Sequence, residues 1–210
     1  MESKKNTNLN NIKSYTTFNE SNSLKIRVSC AGLASIKIGN KYLLVQNKKS
    51  RSKGTIVYGP LGGALEYLPN GKPFLDSLNA EYERETPDLR ITIDQNDLDK
   101  YEHWFKTTND REKSAKREVY EELVLEEKVL TNLKESDITE EYMDSIRDRR
   151  ERFDVVSERF FEIFKITFPI EIENQLKQIS MDKNSTIKLF TKREIYDNKK
   201  EVSYHSRFLL

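Results

Sequence analysis

The sequence predicts an α/β (α+β) protein, and three features of the chain predict it. Residues 24–38 and 41–47 alternate apolar and polar side chains around a Gly39-Asn40 turn, which is the signature of an antiparallel hairpin. Residues 160–168 carry Phe160, Phe164, Ile166 and Phe168 on one parity and Phe161 and Ile163 on the other, as a strand covered on both faces does. Between these strands, residues 117–125 space apolar Val119 and Leu123 as a helix would.

After the hairpin, the basic stretch Lys48, Lys49, Arg51 and Lys53 reads as a solvated loop that can also meet phosphates at a cleft edge. A short strand near residues 55–58 leads into Gly59-Pro60-Leu61-Gly62-Gly63-Ala64-Leu65-Glu66, where the paired glycines let the backbone turn tightly and approach a ligand closely. A turn follows at Pro69-Asn70-Gly71, then a helix over 74–84, a strand over 89–93 and an amphipathic helix over 97–105. Trp104 and Phe105 are expected to pin that helix down, with His103 as a half-buried structural residue. Asn109 or Asp110 is expected to cap the next helix, which runs to Leu125, and Ser136 or Asp137 to open another through Arg147. Pro169 ends the aromatic strand. A helix over 172–179 and a strand over 186–190 come next, and Thr191-Lys192-Arg193-Glu194 is a capping box opening a last helix.

Of the 210 residues, 36 are Lys or Arg and 35 Asp or Glu, so the net charge of +1 supplies no field to attract DNA or RNA. No stretch approaches the roughly 20 apolar residues of a membrane span. Residues 1–23, rich in Asn, Ser, Thr and Lys, have no apolar core of a signal peptide and read as a loose tail, and residues 24–210 as one domain. Cys30 is the single cysteine, which excludes an internal disulfide and fits the cytoplasm; in a strand it reads as a small core residue.

The segment with most chemistry is Arg117-Glu118-Val119-Tyr120-Glu121-Glu122. On a helix the three glutamates fall within roughly a 100° arc, and Arg117 pairs with Glu121 one turn on. Such carboxylates repel unless a cation lies among them, and hard divalent ions take oxygen ligands. A Glu-rich face is more often merely solvated, but Ser114 and Leu125 lie in or beside this arc and Ala115 borders it, as suits a cleft wall.

The glycine pair, a following Glu and Arg-Glu-x-x-Glu-Glu on a later helix resemble the Nudix superfamily box, with Gly62-Gly63-Ala64-Leu65-Glu66 as its opening and Arg117-Glu118-Val119-Tyr120-Glu121-Glu122-Leu123 as its second half. The resemblance departs in three ways. The halves stand about forty residues further apart than the box allows, through an insertion at about 67–108; Asn109 replaces a box Glu; and Val124 replaces a box Gly. With Asp88-Leu89-Arg90, Trp104-Phe105 and Arg111-Glu112, the pattern is similar to the Nudix domains of bacterial SMODS or CD-NTase anti-phage systems.

That resemblance implies a Nudix-like α/β/α sandwich with a mixed sheet. It also implies a Mg²⁺- or Mn²⁺-dependent hydrolase of a nucleoside diphosphate-linked or nucleotide-signal substrate. Glu118, Glu122 and the Gly62 carbonyl would be metal ligands, Glu121 a third ligand or the base, and Arg117 the residue orienting the carboxylates. Gly63 and Glu66 would meet substrate, and Glu66, Asp88 or Asp94 would stand in for the missing Glu. The alternative it implies is a catalytically weak or inactive nucleotide-binding sensor in an anti-phage system. The partners implied are a small nucleotide-derived ligand, a CD-NTase-system component and a second copy of the chain as a homodimer, with no membrane, DNA or RNA.

Overall fold

The computed structural model describes residues 24–152 and 155–210; the tail expected over 1–23 lies outside the described residues. Along the chain come β1 (Lys25–Ile38), β2 (Lys41–Gln46), α1 (Lys48–Arg51), β3 (Tyr58–Gly59), β4 (Leu61–Ala64), α2 (Lys72–Ser77), β5 (Glu81–Tyr82) and β6 (Arg90–Asp94). Then follow α3 (Leu98–Thr107), α4 (Lys116–Tyr120), β7 (Thr139–Arg152), β8 (Val155–Thr167), α5 (Ile170–Ile179), β9 (Ile187–Thr191) and α6 (Lys192–Asp197). The architecture is mixed α/β with a large, mainly antiparallel sheet, as the fold class required.

β1 organises the sheet. One of its edges is taken in turn by three antiparallel partners: β6 at Lys25–Ser29, β4 at residues 31–34 and β2 at residues 37–38. Along the other edge β8 runs parallel, from Arg27 opposite Ser157 to Ile36 opposite Ile166. The β1–β2 turn needs a left-handed residue, and Gly39 supplies it at φ +62°. One face of the sheet packs Val119 and Leu123 against Ile36, Leu61 and Phe164. Further along, Tyr101, Trp104 and Phe105 of α3 close over Ile26, Ile91 and Phe160. The opposite face buries Leu33, Phe161 and Ile163 under Phe190, Ile195 and Leu209. Each fully buried aromatic or aliphatic side chain contributes about 1.5–3 kcal/mol. Cys30 lies in this core with its Sγ 3.0 Å from the Tyr101 hydroxyl, and burial pushes its thiol up to about 12, so it is no nucleophile at neutral pH.

Several local expectations are corrected. The helix expected over 74–84 is only α2; Asn79 at φ +50° turns the chain, and residues 81–82 pair with β6 as β5. Residues 48–51 of the expected basic loop wind into α1, capped by the Asn47 side chain accepting from Ser50 N–H. The strand near residues 55–58 is β3, shifted to Tyr58 and Gly59. His103 is exposed rather than half-buried, because α3 turns Tyr101 before it and Trp104 and Phe105 after it inward.

Of the helix expected from Ser136 through Arg147, only a 3-10 turn at Glu135–Asp137 forms, and the rest from Thr139 belongs to β7, paired with β8 from Thr139 opposite Thr167 to Arg152 opposite Val155. Asn109 and Asp110 cap nothing. The chain bends there and runs on extended from Arg111, and α4 begins at Lys116 because Glu140 of β7 accepts from the Ala115 N–H at 2.6 Å and from the Ser114 hydroxyl at 3.2 Å. Ser114 Oγ in turn accepts the Lys116 N–H at 3.1 Å, so a local hydroxyl held by a strand residue 25 positions away sets the helix start. The aromatic strand, the helix after Pro169 and the Thr191–Glu194 capping box are all observed.

The extended segment before α4 also brings a buried ion pair into the structure. Arg111, 3% exposed, donates to Glu162 through two nitrogens at 2.8 and 2.6 Å, and its guanidinium lies 3.8 Å from the Phe105 ring centroid. Arg111→Met alone is expected to cost about 3 kcal/mol, since it strands the Glu162 carboxylate. Adding Glu162→Leu should recover most of that loss in urea unfolding; equal loss in the single and double variants would refute the assignment.

Candidate functional site

The glycine turn and the carboxylate helix meet face to face. β4 pairs with β1 through Gly62 opposite Leu33 and Gly63 opposite Gly32, so the sheet fixes the turn. The helix is laid over it by Ala115, Val119 and Leu123, all 0% exposed. Beyond Tyr120 the helix widens into a π-helical stretch, Glu121–Glu126, an arrangement that re-aims side chains and occurs often at functional sites.

Glu122 reaches across and accepts the Gly62 N–H at 2.9 Å. It is the amide of Gly62, not its carbonyl, that meets this carboxylate. Glu118 sits against Gly63 so closely that a Cβ there would overlap its carboxylate oxygens. Burial is the main cause that pushes the Glu122 carboxyl up to about 8; the Gly62 N–H opposes the rise, and Glu118 and Glu126 add to it. Glu118 is raised as well, first by burial, against the pull of Arg117.

Arg117 is the hub of the remaining charges. Its guanidinium lies 2.9 Å from Glu118, 3.3 Å from Glu121 and 3.6 Å from Glu66, and donates to the Ala64 carbonyl at 3.1 Å. Its strongest partner is Glu112, which accepts from Nε at 3.1 Å and from Nη2 at 2.9 Å. That pairing is the first cause raising the arginine's pKa. Glu112 is also tied to Glu66, whose carbonyl accepts its N–H at 2.8 Å. Burial raises the Glu66 carboxyl, while Arg117 opposes the rise.

The structure thus brings Gly62, Gly63, Glu66, Arg117, Glu118, Glu121 and Glu122 into one cluster. Asp88 lies beside it, in a bridge with Glu66, and is held by Arg84 and Arg90. Asp94 is remote, paired with Lys25 at the far end of β1. Sequence reasoning missed Glu112 as a member. The motif places an acid eight residues before Arg117, at Asn109; the extended chain puts the working carboxylate five before it. Asn109 instead accepts from Lys113 at 2.9 Å. Leu125 is 56% exposed, and Ser114 turns away to Glu140.

Gly62 and Glu122 line a cleft of about 290 Å³, with Lys48 and Lys49 on its rim. Lys48 pairs with Glu126 and Arg51 with Glu127, so the basic turn is bound to the end of the carboxylate helix. Among the described residues no three His, Cys, Asp or Glu side chains converge as a ready-made metal cage. The donor set still fits a hard divalent ion. Glu118 and Glu122 are oxygen donors flanking an open glycine turn, and Mg²⁺ is held by one or two carboxylates with water and substrate phosphates completing its shell. No helix among the described residues is long and apolar enough to cross a membrane.

A family model described as the SMODS-associated NUDIX domain matches residues 25–210. No curated protein and no solved structure matches the chain.

Proposed function

The chain belongs to the SMODS-associated NUDIX domain family, and from that premise we propose that it hydrolyses a phosphoanhydride in a nucleoside diphosphate-linked or nucleotide-signal molecule, with Mg²⁺ or Mn²⁺. The observation that carries the reading is the closure of Glu122 onto Gly62 and of Glu118 onto Gly63, which joins the two halves of the box across their long separation. Nudix proteins characteristically use divalent cations. Here Glu118 and Glu122 would hold the ion, which supplies charge neutralisation at the diphosphate and a more acidic water.

The other roles fall to residues of this chain. Arg117, gripped by Glu112, sets the directions of Glu118 and Glu121. Glu121, the most exposed of the three at 38% of its side chain, is free of the core and suited to take a proton from water. Lys48 and Lys49 face the cleft where phosphate oxygens would lie. We place the activity in the cytoplasm and in an anti-phage system built around a CD-NTase, whose nucleotide products or their relatives are the substrates to try.

A second reading, a nucleotide sensor without turnover, is favoured by one observation. Arg117 already lies between Glu118 and Glu121, so a cation of the chain itself offsets part of their charge without a metal. The test is incubation with Mg²⁺ or Mn²⁺ and ADP-ribose, dinucleoside polyphosphates and cyclic oligonucleotides, beside Glu122→Gln. Turnover that falls about 10³-fold in Glu122→Gln supports the hydrolase. Binding with no turnover supports the sensor, and neither on the whole panel discards both.

A further inference from the structure

We propose that the cavity between α3, residues 109–113 and the β7–β8 face is a nucleoside subsite, holding the base and ribose of a nucleotide whose phosphates extend past Arg117 toward the Gly62–Glu122 cleft. The ligand class rests on the functional reading above; the cavity's own chemistry points the same way.

The cavity encloses about 710 Å³, within the range of small-molecule sites and ample for a nucleotide. Its floor is aromatic, made by Phe105, Phe160 and Phe164. At its mouth stands Tyr142, 55% exposed although its ring packs edge-on against Phe164 with centroids 5.9 Å apart. A bulge between Tyr142 and Asp144 shifts the β7–β8 register there, which is how a strand aims a side chain beside a binding site. An exposed aromatic ring in that setting offers a stacking face to a planar ligand.

The charges select an anion. Lys106, Arg111, Lys113 and Arg147 line the cavity against two carboxylates, Glu102 and Glu162, and both carboxylates are already engaged. Glu162 is held by Arg111, and Glu102 by Lys106 and Arg147. Lys113 is exposed, with its ammonium donating to the Asn109 side-chain oxygen. A bare phosphate would not use the aromatic floor, and a neutral apolar ligand would not use the cations. A nucleotide uses both.

The cavity is also joined to the acidic cluster. In the extended stretch before α4, Arg111 and Lys113 line the cavity while Glu112 between them grips Arg117. The cavity and the carboxylate cluster are therefore neighbours across one three-residue stretch, and a ligand seated in the cavity reaches the cluster past the edge of that stretch.

The test is calorimetric titration of the full chain in Mg²⁺-free buffer with ADP, GDP, CDP and UDP, and with pyrophosphate as the base-free probe. At least one nucleoside diphosphate should bind about tenfold more tightly than pyrophosphate. Tyr142→Ala should remove about that factor and leave pyrophosphate binding unchanged, Tyr142→Phe should restore it, and Lys113→Glu should weaken both probes about tenfold. Tyr142 and Lys113 are surface positions, and unchanged melting curves would verify folding of the variants. The proposal is overturned if no nucleoside diphosphate outbinds pyrophosphate, or if Tyr142→Ala binds as tightly as the parent. Turnover together with unaltered nucleotide binding in Tyr142→Ala keeps the hydrolase and discards the subsite. Nucleotide binding lost in Tyr142→Ala, with no turnover on any substrate, keeps the subsite and discards the hydrolase.

Discussion

Gly62→Ala is expected to yield little folded protein, whereas Gly63→Ala should fold and lose its activity. The two positions are adjacent on β4, yet a methyl group meets different things at each. At Gly62 the backbone has φ +133°, a region side-chain-bearing residues rarely adopt, and a Cβ would drive into the Gly32 carbonyl oxygen and lie 3.0 Å from Leu33 Cα. Both obstacles are backbone of β1, the strand on which the sheet is built. Strain of about 1–3 kcal/mol from the dihedral adds to the overlap, and the sum is a large part of a typical domain's 5–15 kcal/mol.

At Gly63 the obstacle is the end of one flexible side chain, the Glu118 carboxylate. That group can swing away, so the stability loss should stay near 1 kcal/mol, as for ordinary substitutions. Its displacement removes one of the two carboxylates proposed to hold the cation, and activity should fall by about 10²-fold or more. Soluble yield, melting temperature and turnover measured on both variants decide the matter. Equal stability losses at the two sites would contradict this packing.

Much of this site was legible because its parts carry strong local rules. Gly39-Asn40 fixed the first hairpin, Phe160 to Phe168 could only be a strand covered on both sides, and Thr191 with Glu194 announced a helix start. The Arg117–Glu122 unit is helical throughout, though π-wound from Glu121, so its encounter with the glycine pair could be anticipated while the exact aim of Glu121 and Glu122 could not. What failed did so through long-range contacts. β7 is dominated by charged residues with good helical propensity, and its strand state is imposed by β8, whose apolar side chains need a partner along that edge. Cross-strand charge pairs stabilise it: Arg147 and Arg149 both donate to Glu158, which is 1% exposed. The same strand supplies Glu140, which holds Ser114 where α4 begins. With the helix start set by Ser114 held from a later strand, nothing near Asn109 could reveal that Glu112 is the carboxylate that holds Arg117.

Glu122→Gln is expected to lower the proposed turnover about 10³-fold and, in metal-free buffer at alkaline pH, to stabilise the fold. The carboxyl is pushed up to about 8 from an ordinary 4.5, chiefly by burial. The groups facing it are the Gly62 N–H and Lys48, which favour the anion, and Glu118 and Glu126, which oppose it. A carboxyl raised in the folded state contributes stability that is fully present below about 4.5, where both states are protonated. That contribution is lost as pH rises toward about 8, because the unfolded chain ionises first. Over that window the wild type should therefore lose on the order of a few kcal/mol relative to the variant, at about 1.4 kcal/mol per pKa unit. Glutamine has nearly the same shape and carries no titratable proton. The two proteins should melt alike at pH 5 and diverge by pH 8, with the variant the more stable. Added Mg²⁺ should narrow the gap by stabilising the wild type more than the variant, which keeps only Glu118 of the two carboxylates proposed to hold the ion. A constant difference between the two melting curves from pH 5 to pH 8 would mean that Glu122 is not held as a buried acid, and the charge compensation assigned to the metal would lose its physical basis.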